Sequence, residues 1–295
     1  MNKFEKFDYE SLPIDKPFIE RRIVSTCGSL FWKFFVEQVH KRGLSLQGLR
    51  IVEVGCGTGT SSLVAAMLGA EVTLIDIDNA ALRVAKEAFT LYNLKAEYLN
   101  ADVLKEPARE LAGKFDYAFS GGLVEHFEGE DRTKVMAFHR KFLKENGFAM
   151  MGAPNQLSAP YQVMRLLSQL LGEWTLEREI PFTFWEFLAR GKKAGFKECA
   201  VFGTAGLARD ILVYGFAVIA LLMKPVPSGI KNKLKKGGLR AKIKNIELNA
   251  EITESNIVDF VKKRYNTVIQ AMNNNKTGKT PKDYLSSGLF FYGVN

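Results

Sequence analysis

The 295 residues include 41 Lys and Arg, 32 Asp and Glu, 47% apolar residues and three cysteines. That length suits one large domain, or one domain with a substantial insertion, and the composition excludes fibrous and broadly disordered classes. The net charge of +9 belongs to residues 206–295, which hold 15 basic and 6 acidic residues, so this segment either meets an anionic partner or is a solvated basic face.

In chain order, residues 1–20 mix charge, aromatics and two prolines and read as an irregular arm. They lack the apolar stretch of a signal peptide. The pattern LFWKFFVEQVHKR ahead of Gly43 predicts a helix over 29–42. Strand and helix patterns then alternate: strand 50–56, helix 60–68, strand 71–77, helix 79–92 capped by Asn79, strand 96–101, strand 115–120. A helix over 132–144, closed by Asn146-Gly147, leads to a fifth strand over 148–153, ended by Pro154. This alternation predicts an α/β fold with a doubly wound, mostly parallel sheet and helices on both faces.

Beyond Pro154 the patterns predict helices over 161–171 and 183–194, a sixth strand over 198–204 and a short strand over 289–294. Between the last two lie an apolar run (211–223), a stretch with eight basic and no acidic residues (224–244), and an amphipathic helix over 257–272. As a helix, a run of that length spans about 20 Å, short of the roughly 30 Å hydrocarbon core, so a transmembrane helix is not expected. A peripheral membrane contact is compatible with the basic stretch that follows. Cys27, Cys56 and Cys199 fit neither a disulfide framework nor a zinc pattern, so no metal is expected and the setting is expected to be reducing and cytoplasmic.

The loop that should carry chemistry is Gly55-Cys56-Gly57-Thr58-Gly59, where the first strand hands over to a helix. Glycines let the backbone turn tightly and approach a ligand, and the following helix offers unpaired N–H groups. The spacing departs from G-x-G-x-x-G, which favours an amino-acid moiety over a pyrophosphate. Glu53, inside an apolar strand, needs a compensating partner such as a cationic ligand group.

From Val52 to Gly59 the sequence resembles the signature loop of class I S-adenosylmethionine-dependent methyltransferases. The resemblance continues through Asp76 in LIDID, Asp102 in Asn100-Ala101-Asp102-Val103, and Gly121-Gly122-Leu123-Val124-Glu125-His126, covering about a third of the chain. It implies a seven-stranded Rossmann-like sheet with S-adenosylmethionine as cofactor and S-adenosylhomocysteine as product. It places Glu53 near the methionine end, with backbone contact from Gly55, Cys56, Gly57 and Gly59. Asp76 and the neighbouring Ile77 belong to the ribose end, Asp102 and Val103 to the adenine, and Gly121 lies under the sulfonium.

An alcohol or ammonium acceptor also needs a base, for which Glu125 and His126 are the candidates; His40 and His139 read as ordinary helix residues. Ser120-Gly121-Gly122-Leu123 stands where methylases of nucleobase amino groups often carry Asn-Pro-Pro-Tyr, and resembles the relatives acting on small molecules and lipids. The expected reaction is methyl transfer to N, O or C of a small-molecule or lipid acceptor with an apolar or anionic part. An RNA methyltransferase gripping phosphates through the basic segment is the second reading, a nucleotide-dependent oxidoreductase the third, and a catalytically silent cofactor-binding subunit the alternative from a different class. Class I sheets usually end in a hairpin of strands six and seven. The expected organisation is therefore an arm and helix (1–47), a cofactor-binding core (48–205), a basic helical insertion acting as substrate lid (206–284), and the last strand (285–295). The aromatics at 31–35 and 182–185 are expected in the core.

Overall fold

The computed structural model describes residues 8–105, 109–170, 179–203, 256–274 and 288–295. Seven strands, β1 (Arg50–Val54), β2 (Glu71–Asp76), β3 (Glu97–Asn100), β4 (Phe115–Gly121), β5 (Leu143–Pro154), β6 (Glu198–Gly203) and β7 (Gly288–Val294), form one sheet in the order β3-β2-β1-β4-β5-β7-β6. The pairs among β1 to β5 are parallel, and β7 runs antiparallel to both β5 and β6. The expected α/β class and mostly parallel seven-stranded sheet are therefore present.

The two-residue period of the strands sorts their side chains into two cores. Ile51, Tyr117, Phe119, Phe148 and Met150 face α1 (Lys16–Cys27), α2 (Leu30–Lys41), α3 (Thr60–Met67) and α4 (Asn79–Thr90). There the Phe35 ring stacks on Tyr117 at 4.4 Å. Val52, Val54, Ala118, Ala149, Met151 and Phe291 face α5 (Glu130–Phe142) and α7 (Phe184–Lys193). α6 (Ala159–Leu170) follows β5 at the carboxyl edge of the sheet.

Three expectations on local structure are corrected. Residues 16–20 are helical: Asp15 accepts from the Phe18 N–H at 2.7 Å, and Pro17 sits in the first turn of α1, where its missing N–H costs nothing. The cap of α4 is Asp78, whose carboxylate accepts from Ala80 N–H, and not Asn79. α5 stops at Phe142 because Leu143 already pairs with Phe115, and β5 runs through Asn146, which adopts a φ of +62°.

The expected insertion between β6 and β7 falls largely outside the described residues, including the apolar run 211–223 and the basic stretch 224–244. Its described part is α8 (Ile257–Asn273), which packs on α1, α2 and α3 with Val261 fully buried. Among the described residues no helix is long and apolar enough to cross a membrane, and no group of His, Cys, Asp and Glu is arranged to hold a metal ion. The aromatic segments divide: Trp32, Phe34, Phe35 and Phe182 are buried, whereas Trp185 is 59% exposed.

Candidate active site

The chain steps outward from β1 through β2 to β3, then crosses back to β4 on the other side of β1. The crevice outside the carboxyl ends of β1 and β4 is thus a topological switch point, the place where open α/β sheets bind ligands. Gly55 and Cys56 both donate backbone N–H groups to the Ile75 carbonyl, at 2.8 and 3.0 Å, which ties the glycine loop to the end of β2. Burial holds the Cys56 thiol protonated, so its contribution to a ligand is through its backbone. At Gly59, with φ +62°, a Cβ would stand 2.5 Å from Leu74 Cδ2 and 2.9 Å from Ala85 Cβ. That close approach lets α3 start immediately over the sheet.

Asp76 ends β2 beneath this loop. Its Oδ2 accepts from Gly57 N–H at 3.0 Å and its Oδ1 from Asp78 N–H at 2.9 Å. A carboxylate has about four acceptor positions, so each oxygen keeps one lone pair for a further donor. Asn100 Nδ2 donates to the Ile77 carbonyl at 2.8 Å and Ala101 N–H to the Asp76 carbonyl at 3.1 Å, so the loops after β2 and β3 are tied to each other. Ile77 is 63% exposed above them, an aliphatic face with no packing role in the core. Asp102 and half-buried Val103 follow two and three residues past β3. The Asp102 carboxylate accepts from Leu104 N–H at 3.0 Å and lies 3.9 Å from Lys105 Nζ.

Glu53 is buried. Its Oε2 accepts from Ser62 Oγ at 2.6 Å and Ser62 N–H at 3.2 Å. Burial raises its carboxyl to about 7 against the lowering effect of Ser62, with Asp76 raising it further and Arg22 lowering it. A cation beside it would favour the ionised form.

Across the crevice, β4 ends at Gly121, with open space where a Cβ would project. The chain then turns through Gly122 into a short 3-10 turn, Val124–His126. Glu125 is 3% exposed, and its Oε2 has no hydrogen-bond partner among the described residues. Burial raises its carboxyl to about 8; the charge of Glu179 adds to this, and Arg132 opposes it. The Glu125 carbonyl accepts from Ile180 N–H at 2.8 Å, joining the turn to a wall in which Tyr161 OH donates to Glu179 Oε2 at 2.9 Å. Arg132 fixes that wall from below: it donates to the Phe127 and Ile180 carbonyls, pairs with Glu186 at 2.8 Å, and lies 3.8 Å from the Phe182 ring centroid.

The glycine loop, Glu53, Asp76, Ile77, Asp102, Val103, Gly121, Glu125 and His126 therefore all come from the carboxyl edge of the sheet. His139 lies apart, fully buried on α5 with Nδ1 at 2.8 Å from the Val135 carbonyl, and burial lowers its pKa to about 4. Sequence reasoning missed Ser62, Asn100, Tyr161 and Glu179, together with Tyr9 and Arg22, which reach the loop from the N-terminal side. Only tertiary packing brings these residues to the crevice; none sits in a recognisable spacing.

Glu125 makes a stability prediction whose sign follows from its raised pKa. The folded chain keeps a proton that the unfolded chain releases near its ordinary value of about 4.3, so the fold loses stability as pH rises from there to about 8. Glu125→Gln removes this dependence. Its thermal midpoint should match the parent's near pH 5 and exceed it near pH 9, by roughly a few kcal/mol of unfolding free energy. Melting curves at both pH values check it.

Comparison with known proteins bears on the same crevice. A family model described as a methyltransferase domain matches residues 51–147, from β1 into β5. The ubiquinone biosynthesis O-methyltransferase of Bordetella avium (strain 197N) is 29% identical over 177 residues, covering 57% of this chain and 70% of that protein. The protein of the same name from Paraburkholderia phymatum is 30% identical over 171 residues, covering 55% of this chain and 68% of that protein. The solved magnesium protoporphyrin IX methyltransferase of Synechocystis PCC 6803, with bound S-adenosylhomocysteine, aligns with a TM-score of 0.46 at 17% identity, over 63% of this chain and 77% of that one.

Proposed function

The chain belongs to the class I S-adenosylmethionine-dependent methyltransferases, and on that premise we propose that it methylates a hydroxyl oxygen of a small organic acceptor. The cofactor supplies an activated methyl group on a sulfonium; the protein aligns the acceptor, excludes water and removes a proton. In this reading Glu53 faces the ammonium of the methionine moiety, and the two spare lone pairs of Asp76 accept from the ribose hydroxyls. Asp102 accepts from the adenine amino group beside the Val103 N–H, and Ile77 covers one face of the purine. Gly121, with nothing over its Cα, leaves room for the sulfonium and the incoming oxygen.

The observation that carries the choice of a hydroxyl is the Glu125 carboxyl beside Gly122, with one oxygen left unpaired among the described residues. A carboxylate raised to about 8 is a far better base than an ordinary one, and its basicity is closer to that of a phenol. The names of the two curated relatives, both O-methyltransferases, agree with it. His126, at the end of the same turn, is the alternative proton acceptor. The basic residues of 206–295 suit an acceptor with an anionic part.

The test is methyl transfer from labelled cofactor to a panel of phenols, catechols, amines and carboxylic acids, with Glu125→Gln and His126→Gln assayed beside the parent. The reading expects hydroxyl acceptors to be labelled, and Glu125→Gln to lower kcat by about 100-fold or more while leaving cofactor affinity within a factor of a few. Labelling of amines alone would overturn it, as would full activity in the Glu125 variant.

A further inference from the structure

We propose that Glu179, held in place by Tyr161, is a positioning residue whose charge sets how tightly Glu125 keeps the proton of the acceptor. The proposal rests on the reading of Glu125 as the base for a hydroxyl acceptor. In that step the hydroxyl proton passes to Glu125 Oε2 as the acceptor oxygen bonds the methyl carbon and the carbon–sulfur electron pair stays on sulfur.

Glu179 lies outside every segment that the resemblance covers, yet backbone bonds fix it beside the turn that carries Glu125. Ile180 N–H donates to the Glu125 carbonyl at 2.8 Å, Arg165 Nη2 donates to the Glu179 carbonyl at 2.9 Å, and Arg132 donates to the Ile180 carbonyl. The chain at 179–180 is therefore held from α5, from α6 and from the turn itself. The side chain is held as well, since Tyr161 OH donates to Glu179 Oε2 at 2.9 Å. Burial, with the charge of Glu179, keeps that phenol protonated, so the hydroxyl stays a donor and the carboxylate an acceptor.

The groups around Glu125 leave this negative charge uncompensated. Its titratable and charged neighbours are Glu179, Arg132 from α5, Tyr161 from α6 and His126 on the same turn. Arg132 is the cation whose charge acts on Glu125, but its guanidinium donates to the Phe127 and Ile180 carbonyls and pairs with Glu186. Among the described residues no Lys or Arg stands within salt-bridge distance of the Glu179 carboxylate, whose donor is Tyr161. Two neighbouring carboxyl groups without a dedicated cation do not ionise independently, and the more buried one keeps its proton. Here that one is Glu125, while Glu179 is half-buried. Glu179 thus makes Glu125 a stronger base than burial alone would, acting through Glu125 and not on the reacting atoms.

The experiment measures kcat for methyl transfer to a phenol, and the thermal midpoint, each against pH on the full chain. Glu179→Gln keeps an acceptor for Tyr161 and removes the charge. The rise of kcat with pH should move down by about one pH unit, and the loss of stability that Glu125 causes should end about one pH unit lower. Glu179→Asp, which keeps the charge, should stay nearer the parent. Tyr161→Phe should shift both curves in the same direction as Glu179→Gln, by less. Glu125→Gln combined with Glu179→Gln supplies the baseline that removes the titration of Glu179 itself. A stability curve for Glu179→Gln that, referred to this baseline, keeps the parent's alkaline end would overturn the assignment while leaving Glu125 standing as the base. A shifted stability curve with an unmoved kcat profile would overturn Glu125 as the base, and this role with it.

Discussion

Asp76→Ala is expected to lower affinity for S-adenosylmethionine by about 100-fold or more, the largest loss of binding from any single substitution in the crevice. Two effects add. On the proposed reading the variant removes a charged acceptor for both ribose hydroxyls, and charge-assisted bonds of this kind contribute about 1.5–3 kcal/mol each. It also frees the Gly57 and Asp78 N–H groups that the carboxylate holds at 3.0 and 2.9 Å, so the glycine loop keeps only its Gly55 and Cys56 bonds to the Ile75 carbonyl of β2. Asp76→Asn separates the two, since its amide oxygen serves one N–H while the charge and one acceptor are gone; it should fall between parent and alanine variant. Calorimetric titration of all three with the same cofactor preparation measures the series. Equal affinity in parent and Asp76→Ala would remove the ribose role.

Gly59→Ala carries the largest expected loss of stability. The residue sits at φ +62°, where an L side chain costs about 1–2 kcal/mol. Its new Cβ would be 2.9 Å from the Ala85 Cβ on α4, which has no rotamer to retreat into, and 2.5 Å from Leu74 Cδ2. Overpacking adds about 1–3 kcal/mol, so the midpoint of thermal unfolding should fall by roughly 5–15 °C. Gly113→Ala is the control, because Gly113 has φ +68° but open space around its Cβ position. It should show the backbone cost alone. Similar midpoints for the two variants would mean that close packing of α3 and α4 on β2 is not what requires Gly59.

The sheet was legible because its determinants are local. Strands such as Arg50–Val54 and Glu71–Asp76 place aliphatic, mostly β-branched residues on both faces and are buried at four consecutive positions, as strands covered on both sides must be. The gathering of the candidate site residues was legible for a related reason: Gly55 to Gly59, Asp76 and Asp102 mark strand ends, and strand ends of a parallel sheet meet at one edge. Less of the first fifty residues was readable. Two prolines and scattered charge masked α1, although Ile19, Ile23, Val24 and Cys27 recur at helical spacing and are all buried. The end of α5 was overrun because Leu143 and Lys144 suit a helix by propensity, while pairing of Leu143 with Phe115 decides otherwise. Arg22, Ser62 and Tyr161 are ordinary residues in sequence and acquire their meaning only from the neighbours packed against them.

Titration of the folded chain with S-adenosylhomocysteine tests the central claim most directly. The account predicts saturable binding with one site per chain. Nicotinamide dinucleotides should not compete, because the loop lacks the spacing that cradles a pyrophosphate. A folded chain that takes up neither S-adenosylhomocysteine nor S-adenosylmethionine would contradict it.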